Sequence, residues 1–442
     1  MTFLISLLII LSGISTSFFI NKGRICVSGA AAVLLVSALP DFSGVREAAV
    51  LLILADIAAF LADRWIVYTV SAFLHYICGY LLFFHGILSD RNTGPAWIQA
   101  PAVLLLLAET VLVFFTAVTA IVPSLVMKYI RDRLLHNGNI TEAVSYTETL
   151  EHGITFVSDL QYDSERPNGY LDIYYPDQGS REKFFTVIYI HGGGYIWGDK
   201  LAGDPAGNGG GYDSSLVRYL VNEGYKVVSM NYALAPEYPF PHAVEQLNKG
   251  LGWLRENAGA LKIDMDRVIL AGASAGGNLA GILVNIHTNP VYSREIGIAP
   301  VLSGSAIKAV VFEGGLMDNR YFGITHNAVF DYVFFHMGRV YFRVNELKKN
   351  KKIIVSGVLE HISKNFPPSF ISDGNTATFY DQAKELADRL SALGVPNELS
   401  IYPEKEAGKL IHGFEESGSV WGKKTMEKIS VFLENIEKGD KK

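Results

Sequence analysis

Charge is spread so unevenly along the 442 residues that the chain poses two separate folding problems. Residues 1–127 carry only eleven Asp, Glu, Lys or Arg, whereas the rest of the chain has ordinary globular polarity. Five apolar segments occupy that first stretch: Thr2 to Ile20, Ile25 to Leu39, Ala48 to Ala62, Trp65 to Leu88 and Trp97 to Met127. A helix that crosses a bilayer needs about 20 apolar residues. The first segment and the last two supply that length, and the second and third are shorter. The expectation is an all-α transmembrane domain over 1–127, a linker and possible cap segment over 128–153, and a separate folded domain over 154–442. With five spans, Lys22, Arg24, Arg64, Lys128, Arg131 and Arg133 fall on one side of the membrane and Arg46 and Arg91 on the other. The basic side is normally cytoplasmic, so the large domain is expected in the cytoplasm. Asp56, His75 and Glu109 lie within the apolar segments, where an ionisable group either hydrogen-bonds between helices or serves a function. A net charge of −6 without a basic run argues against a nucleic-acid partner. Cys26 and Cys78 both sit in apolar stretches and provide neither a disulfide framework nor a thiolate metal site.

Beyond residue 150 the pattern changes to short β-rich runs separated by helical ones. Ile154 to Leu160, Tyr170 to Tyr175, Phe184 to Ile190, Lys226 to Met230, Arg267 to Ala271, Ile307 to Phe312, Ser369 to Ser372 and Glu398 to Tyr402 read as strands. Ser214 to Glu223, Val244 to Ala258, Asp381 to Leu393 and Thr425 to Lys438 read as helices, the third stopped by Gly394 with Pro396 beyond. Strands alternating with helices imply a mostly parallel sheet covered on both faces. Residues 202–211 read as a glycine-rich loop, and the aromatic and Lys-rich stretch from Asn319 to Lys352 interrupts the alternation and suggests part of a lid.

Two glycine clusters follow two of these strands. Gly272-Ala273-Ser274-Ala275-Gly276 stands between the strand RVILA and a helix of small residues, the strand–turn–helix setting of a nucleophile elbow. There the serine Oγ is presented on a sharp turn, beside a helix N-terminus that favours developing negative charge. His191-Gly192-Gly193-Gly194 follows the strand FFTVIYI. Acyl transfer creates an oxyanion that preorganised backbone N–H groups stabilise, and glycines let the backbone approach the substrate closely. A general base is expected late in the chain, and His412, after the last strand and before the last helix, fits where His242 and His361 do not. Asn231 to Glu237, with Pro239 and Pro241, reads as a fixed loop packed behind the site.

Taken together, HGGG, NYALAPEYPFP, GASAGGNLA and HGF, in that order, resemble the hormone-sensitive-lipase-like esterases, a branch of the α/β hydrolases. The resemblance covers roughly 150–442. It implies an α/β-hydrolase fold with a cap partly built from the segment before the first strand, to which residues 129–150 would contribute. It further implies Ser274 as nucleophile, His412 as base, and the N–H groups of Gly193, Gly194 and Ala275 as oxyanion donors. The triad acid of that family stands in a G-x-D-P pattern, and the corresponding position here holds Thr376. Asp373, at the end of the strand Ser369 to Ser372, is the expected acid, with Asp381 and Asp318 as the alternatives. Around Asp56 and His75 the first hundred residues faintly resemble lysoplasmalogenase-like membrane proteins, without that family's later helices.

The function expected from the sequence is therefore that of a membrane-anchored serine hydrolase that cleaves small-molecule or lipid esters without a metal or organic cofactor. Two rivals stand beside it, the first of which keeps the triad. One transfers the acyl group to, or removes it from, a lipid or glycan; the other is a catalytically weakened membrane scaffold, suggested by the displaced acid.

Overall fold

The computed structural model describes residues 118–177, 183–201, 203 and 211–440. The five apolar segments lie outside those residues except for the tail of the last. Among the described residues no helix is long and apolar enough to cross a membrane. The chain divides into two units, and the one that carries the sheet comprises Ser124–His326 and Val333–Lys442.

Nine strands form one sheet: β1 (Tyr146–Thr149), β2 (Thr155–Gln161), β3 (Tyr170–Tyr175), β4 (Thr186–Ile190), β5 (Lys226–Met230), β6 (Val268–Ala273), β7 (Ile307–Glu313), β8 (Ser369–Ser372) and β9 (Asn397–Ser400). Their order is β1-β2-β3-β5-β4-β6-β7-β8-β9. The pairs from β1 through β3 to β5 are antiparallel, and every pair from β5 onward is parallel. The parallel half needs both faces covered, because its crossovers are helices. The helices that cover the sheet or border the site are α1 (Leu216–Asn222), α2 (His242–Leu261), α3 (Ala275–Thr288), α4 (Ala328–Phe342), α5 (Tyr380–Ala392) and α6 (Val420–Asp440).

The period of two along each strand sorts the apolar side chains into two cores. From β4, Ile188 and Ile190 join a core with Leu247 and Leu251 of α2 and Leu279 and Leu283 of α3. Val187 and Tyr189 point the other way, into a core with Leu216 and Leu220 of α1 and Ile429 and Leu433 of α6. The continuous apolar runs of the sequence are thus strands buried on both sides, all five β4 residues being buried.

Most expected elements stand where the patterning places them, β3, β5 and β8 with the same ends. β4 starts later because Phe184 is half exposed, and β9 ends before the turn at Pro403. β1 is the main addition: a four-residue strand of polar and aromatic residues inside the stretch expected as a linker, exposed along its length. It has no hydrophobic period to announce it and forms by hydrogen-bonding to β2. The aromatic stretch expected in a lid contains α4, a helix that its sequence pattern does not announce. The glycine-rich stretch 202–211 lies outside the described residues apart from Gly203 and Gly211.

Candidate active site

The parallel strands end along one edge, and three of the ends carry the groups of interest. β6 runs into Ser274, whose backbone adopts φ 53° and ψ −116° before α3 begins at Ala275. A non-glycine residue at positive φ persists only when its surroundings over-determine it. Here the Ser274 N–H donates to the Glu313 carbonyl at 2.8 Å, and its carbonyl accepts from Leu316 N–H at 3.3 Å and Asn278 N–H at 3.2 Å. The turn also needs the chain to pass close by: a Cβ on Gly276 would stand 2.0 Å from the Ile190 carbonyl oxygen. Any side chain there would drive α3 away from β4, so the elbow's second glycine is a packing requirement.

β4 leads into His191 and the glycine turn, which lies directly above the serine. A methyl on Gly192 would be 3.3 Å from Ser274 Cβ. Gly193 has φ +103°, and a Cβ on it would reach to 2.1 Å from the Trp197 carbonyl oxygen. Ala275 opens α3, so its N–H is one of the first four that have no partner within a helix. The structure therefore brings the glycine turn, through Gly192, and the first N–H of α3, on Ala275, beside Ser274. The loop from Asn231 to Glu237 braces the glycine turn from behind. Tyr232 stacks on His191 with ring centroids 4.3 Å apart, and its hydroxyl donates to the His191 carbonyl at 3.1 Å. Burial holds the His191 imidazole down to about 4, so it is a neutral packing element.

That bracing loop is itself held by the segment before the sheet. Arg131, 1% exposed, donates to the Ala235 carbonyl and to Glu237, each at 2.8 Å. Asn139 accepts from Leu234 N–H at 2.9 Å. Residues 131–139 thus touch the loop behind the glycine turn. The wall over the site comes instead from α4 and the start of α5. Phe334 and Phe379 meet the His412 ring edge-on at 5.6 and 5.2 Å, and Met337 packs against Gly194.

His412 lies on the loop between β9 and α6, and its Nε2 is 2.8 Å from Ser274 Oγ. The loop position leaves the residue half-buried, yet the two phenylalanines crowd the ring, and desolvation draws the imidazole down to about 4. It is therefore neutral near pH 7 and able to accept the serine proton. Asp373 follows β8 and is fully buried. Its Oδ1 accepts from Gly374 N–H at 2.7 Å and from the Thr378 hydroxyl. Burial pushes the Asp373 carboxyl up to about 7, against the pull of those hydrogen bonds.

The two alternative acids are occupied elsewhere. Asp381 is exposed and faces His326 at 3.0 Å. Asp318 is clamped by Arg320, with Oδ2 2.6 Å from the guanidinium. Thr376, the position that the resemblance would give to an acid, donates to Asn375 Oδ1 at 2.8 Å. His361 stacks on Tyr292, and His242 lies against Tyr238; neither joins Ser274.

Sequence reasoning missed three acids and one hydroxyl near this edge. Glu313 ends β7 beside Ala273 in register and is buried. Glu415 is buried and accepts from the Ser372 hydroxyl at 2.9 Å, while Glu416 accepts from the Tyr189 hydroxyl at 2.9 Å. Burial raises the Glu313 carboxyl well above its usual range, helped by the charges of Glu416 and Glu415. Burial and the neighbouring Asp373 raise Glu415 to about 8. Glu313 was legible as a charge closing an apolar strand at the sheet's C-terminal edge. Glu415 and Glu416 look like solvated loop charges in the sequence, and Thr378 carries no signal.

The BD-FAE family model matches residues 171–390, just under half of the chain. The esterase LipI of Mycobacterium tuberculosis is 26% identical over 243 residues, which make up 54% of this chain and 67% of that protein. The hormone-sensitive lipase of Bos taurus is 36% identical over 104 residues, 24% of this chain and 12% of the lipase. Among solved structures, esterase B from Lactobacillus rhamnosis matches with a TM-score of 0.55 at 21% identity, over 72% of this chain and 94% of that one. That likeness shows the α/β-hydrolase fold.

Proposed function

We propose that this chain, an α/β hydrolase of the hormone-sensitive-lipase-like, carboxylesterase or lipase type, hydrolyses carboxylic esters of short to medium acyl chains through Ser274, His412 and Asp373. The observation that carries the reading is the 2.8 Å approach of His412 Nε2 to Ser274 Oγ on a strained strand–helix turn.

In the first step His412 Nε2 takes the proton of Ser274 as Oγ attacks the ester carbonyl. The carbonyl oxygen gains charge and is received by the N–H groups of Gly193, Gly194 and Ala275, which need no reorganisation because backbone geometry fixes them. The imidazolium then gives its proton to the leaving alcohol. Water, deprotonated by the same nitrogen, attacks the acyl-serine and restores Ser274. Asp373 supplies the negative charge that favours imidazolium during both steps. Phe334, Phe379 and Met337 offer an apolar wall beside His412 and Gly194 against which an acyl chain can lie.

The apolar segments before Lys128 support a second part of this reading: the hydrolase is anchored in a membrane, with its catalytic domain on the cytoplasmic side. The six-to-two division of Lys and Arg supports that side. A C-terminal alkaline phosphatase fusion is then inactive and a fluorescent-protein fusion bright; the reverse pattern rejects the cytoplasmic placement.

The test of the activity is hydrolysis of p-nitrophenyl esters of increasing chain length by the full chain in detergent. Wild type is expected to be active with the shorter esters and Ser274→Ala inactive. Equal rates for the two reject the assignment.

A further inference from the structure

The hydrogen bonds beside His412 contain a member that the triad does not account for. Thr378 lies immediately before α5, and its side chain is buried, with 5% of the residue exposed. Its Oγ1 stands 3.3 Å from His412 Nδ1 and donates to Asp373 Oδ1. The adjacent Phe379 packs edge-on against the same imidazole. Residues 378 and 379 together therefore form one wall of the histidine.

The directions of these bonds are set by elementary inventory. The Ser274 hydroxyl donates to Nε2, so the neutral ring carries its proton on Nδ1. A threonine hydroxyl has one proton to give and two lone pairs with which to accept. Because Asp373 as a carboxylate only accepts, the Thr378 proton goes to Oδ1, and Oγ1 is left to accept from the Nδ1–H. Every donor in the series Ser274, His412, Thr378, Asp373 then points the same way, and bonds aligned in this manner polarise one another.

We propose that Thr378 is a positioning residue of the reaction: its hydroxyl bridges Asp373 and His412, fixes the Nδ1–H tautomer, and transmits the carboxylate's charge to the imidazolium. The inference rests on the assignment of Ser274 and His412 as nucleophile and base. No proton is transferred through Thr378. Every proton that moves in the cycle enters or leaves at His412 Nε2, and the threonine hydrogen bonds tighten as the ring gains its charge.

The bond on the carboxylate side has an effect of its own. The Thr378 hydroxyl stabilises ionised Asp373 against the burial that raises it. Losing the hydroxyl leaves the carboxyl harder to ionise, so activity requires a higher pH.

The experiment compares wild type, Thr378→Val and Thr378→Ser in the full chain, with p-nitrophenyl butyrate as substrate and Ser274→Ala as the blank. Thermal unfolding of each variant checks the fold. The expectation is a kcat about 10- to 100-fold lower for Thr378→Val, the scale of a lost hydrogen bond to a charged group. KM should be nearly unchanged, the acidic limb of the pH profile should move upward, and Thr378→Ser should recover both rate and limb. If Thr378→Val matches wild type in rate and pH limb, the bridge is rejected while the hydrolase reading stands. If Thr378→Ser is as impaired as Thr378→Val, the methyl group matters instead of the hydroxyl, and the bridge is again rejected. A wild type no more active than the blank rejects the hydrolase reading and the bridge with it.

Discussion

The two ends of the candidate site are held by different means. At the Ser274 end, backbone does the holding: a strained φ, three main-chain hydrogen bonds and a glycine that no side chain can replace. At the Asp373 end, side chains do it. The carboxylate is oriented by the hydroxyl of Thr378 and the N–H groups of Gly374 and Phe379, and it lies among Glu415 and its acidic neighbours in a buried environment. A backbone-built group has few ways to move and no charge to titrate. A side-chain-built group depends on every hydroxyl and proton around it. The nucleophile end should therefore respond to substitution all or none, and the acid end by degrees and with pH.

The largest expected effect breaks the backbone-built end at its one reactive atom. Ser274→Ala should lower ester hydrolysis by about 10⁶-fold, the loss seen when a nucleophilic serine is removed, with an unchanged unfolding temperature. Asp373→Asn should cost less, about 10²- to 10⁴-fold in kcat, while Asp381→Asn and Asp318→Asn cost little. Loss of activity in either of the latter with a near-normal Asp373→Asn would relocate the acid.

The pH profile sharpens the contrast between the two ends. Burial places Asp373 at about 7 and His412 at about 4. As pH falls, the Asp373 charge disappears first, while the imidazole remains neutral. If the charge of Asp373 matters, hydrolysis should decline as pH falls through about 7, as a property of the interacting pair. In Asp373→Asn the residual rate should stay flat toward lower pH. A wild-type rate that holds level down to pH 5 would show the acid end to be silent.

The smallest effect concerns stability. Glu415 is raised in the folded state to about 8 from an unfolded value near 4.3. The folded protein thus binds this proton more tightly, and the stability linked to it is lost as pH rises from that unfolded value through about 8. Glu415→Gln keeps an acceptor for the Ser372 hydroxyl and removes the titration. Its unfolding temperature should exceed that of wild type increasingly between pH 5 and 8, measured by thermal denaturation. A variant less stable than wild type throughout that range would show that Glu415 is held ionised by a partner.

The same division explains what the sequence disclosed. Strands β2 to β9 were legible as alternating or continuous apolar runs, helices α1, α2, α5 and α6 by their helical patterning, and α3 as the helix of small residues that follows the elbow. Gly272 to Gly276 and His191 to Gly194 were legible because backbone geometry demands glycine at set spacings. The acid end carries no such constraint. Thr378, Glu313 and Glu415 come from three distant stretches, and only the fold shows that Thr378 and Glu415 border Asp373 while Glu313 neighbours Glu415. Asp373 could be chosen as the first carboxylate after β8, but its link to His412 could not be read. β1 and α4 escaped for a related reason: β1 has no apolar period, and α4 is apolar and aromatic without a clear helical stripe.

Active-site labelling tests the central claim most directly. The full chain in detergent is treated with a fluorophosphonate, and the adduct is located by peptide mass spectrometry in wild type and in His412→Ala. The expected result is a single stoichiometric adduct on Ser274 in wild type and little or none in His412→Ala, because the nucleophile is activated across the 2.8 Å contact. A wild type that remains unlabelled, an adduct on another serine, or labelling of Ser274 at the same rate without His412 would contradict it.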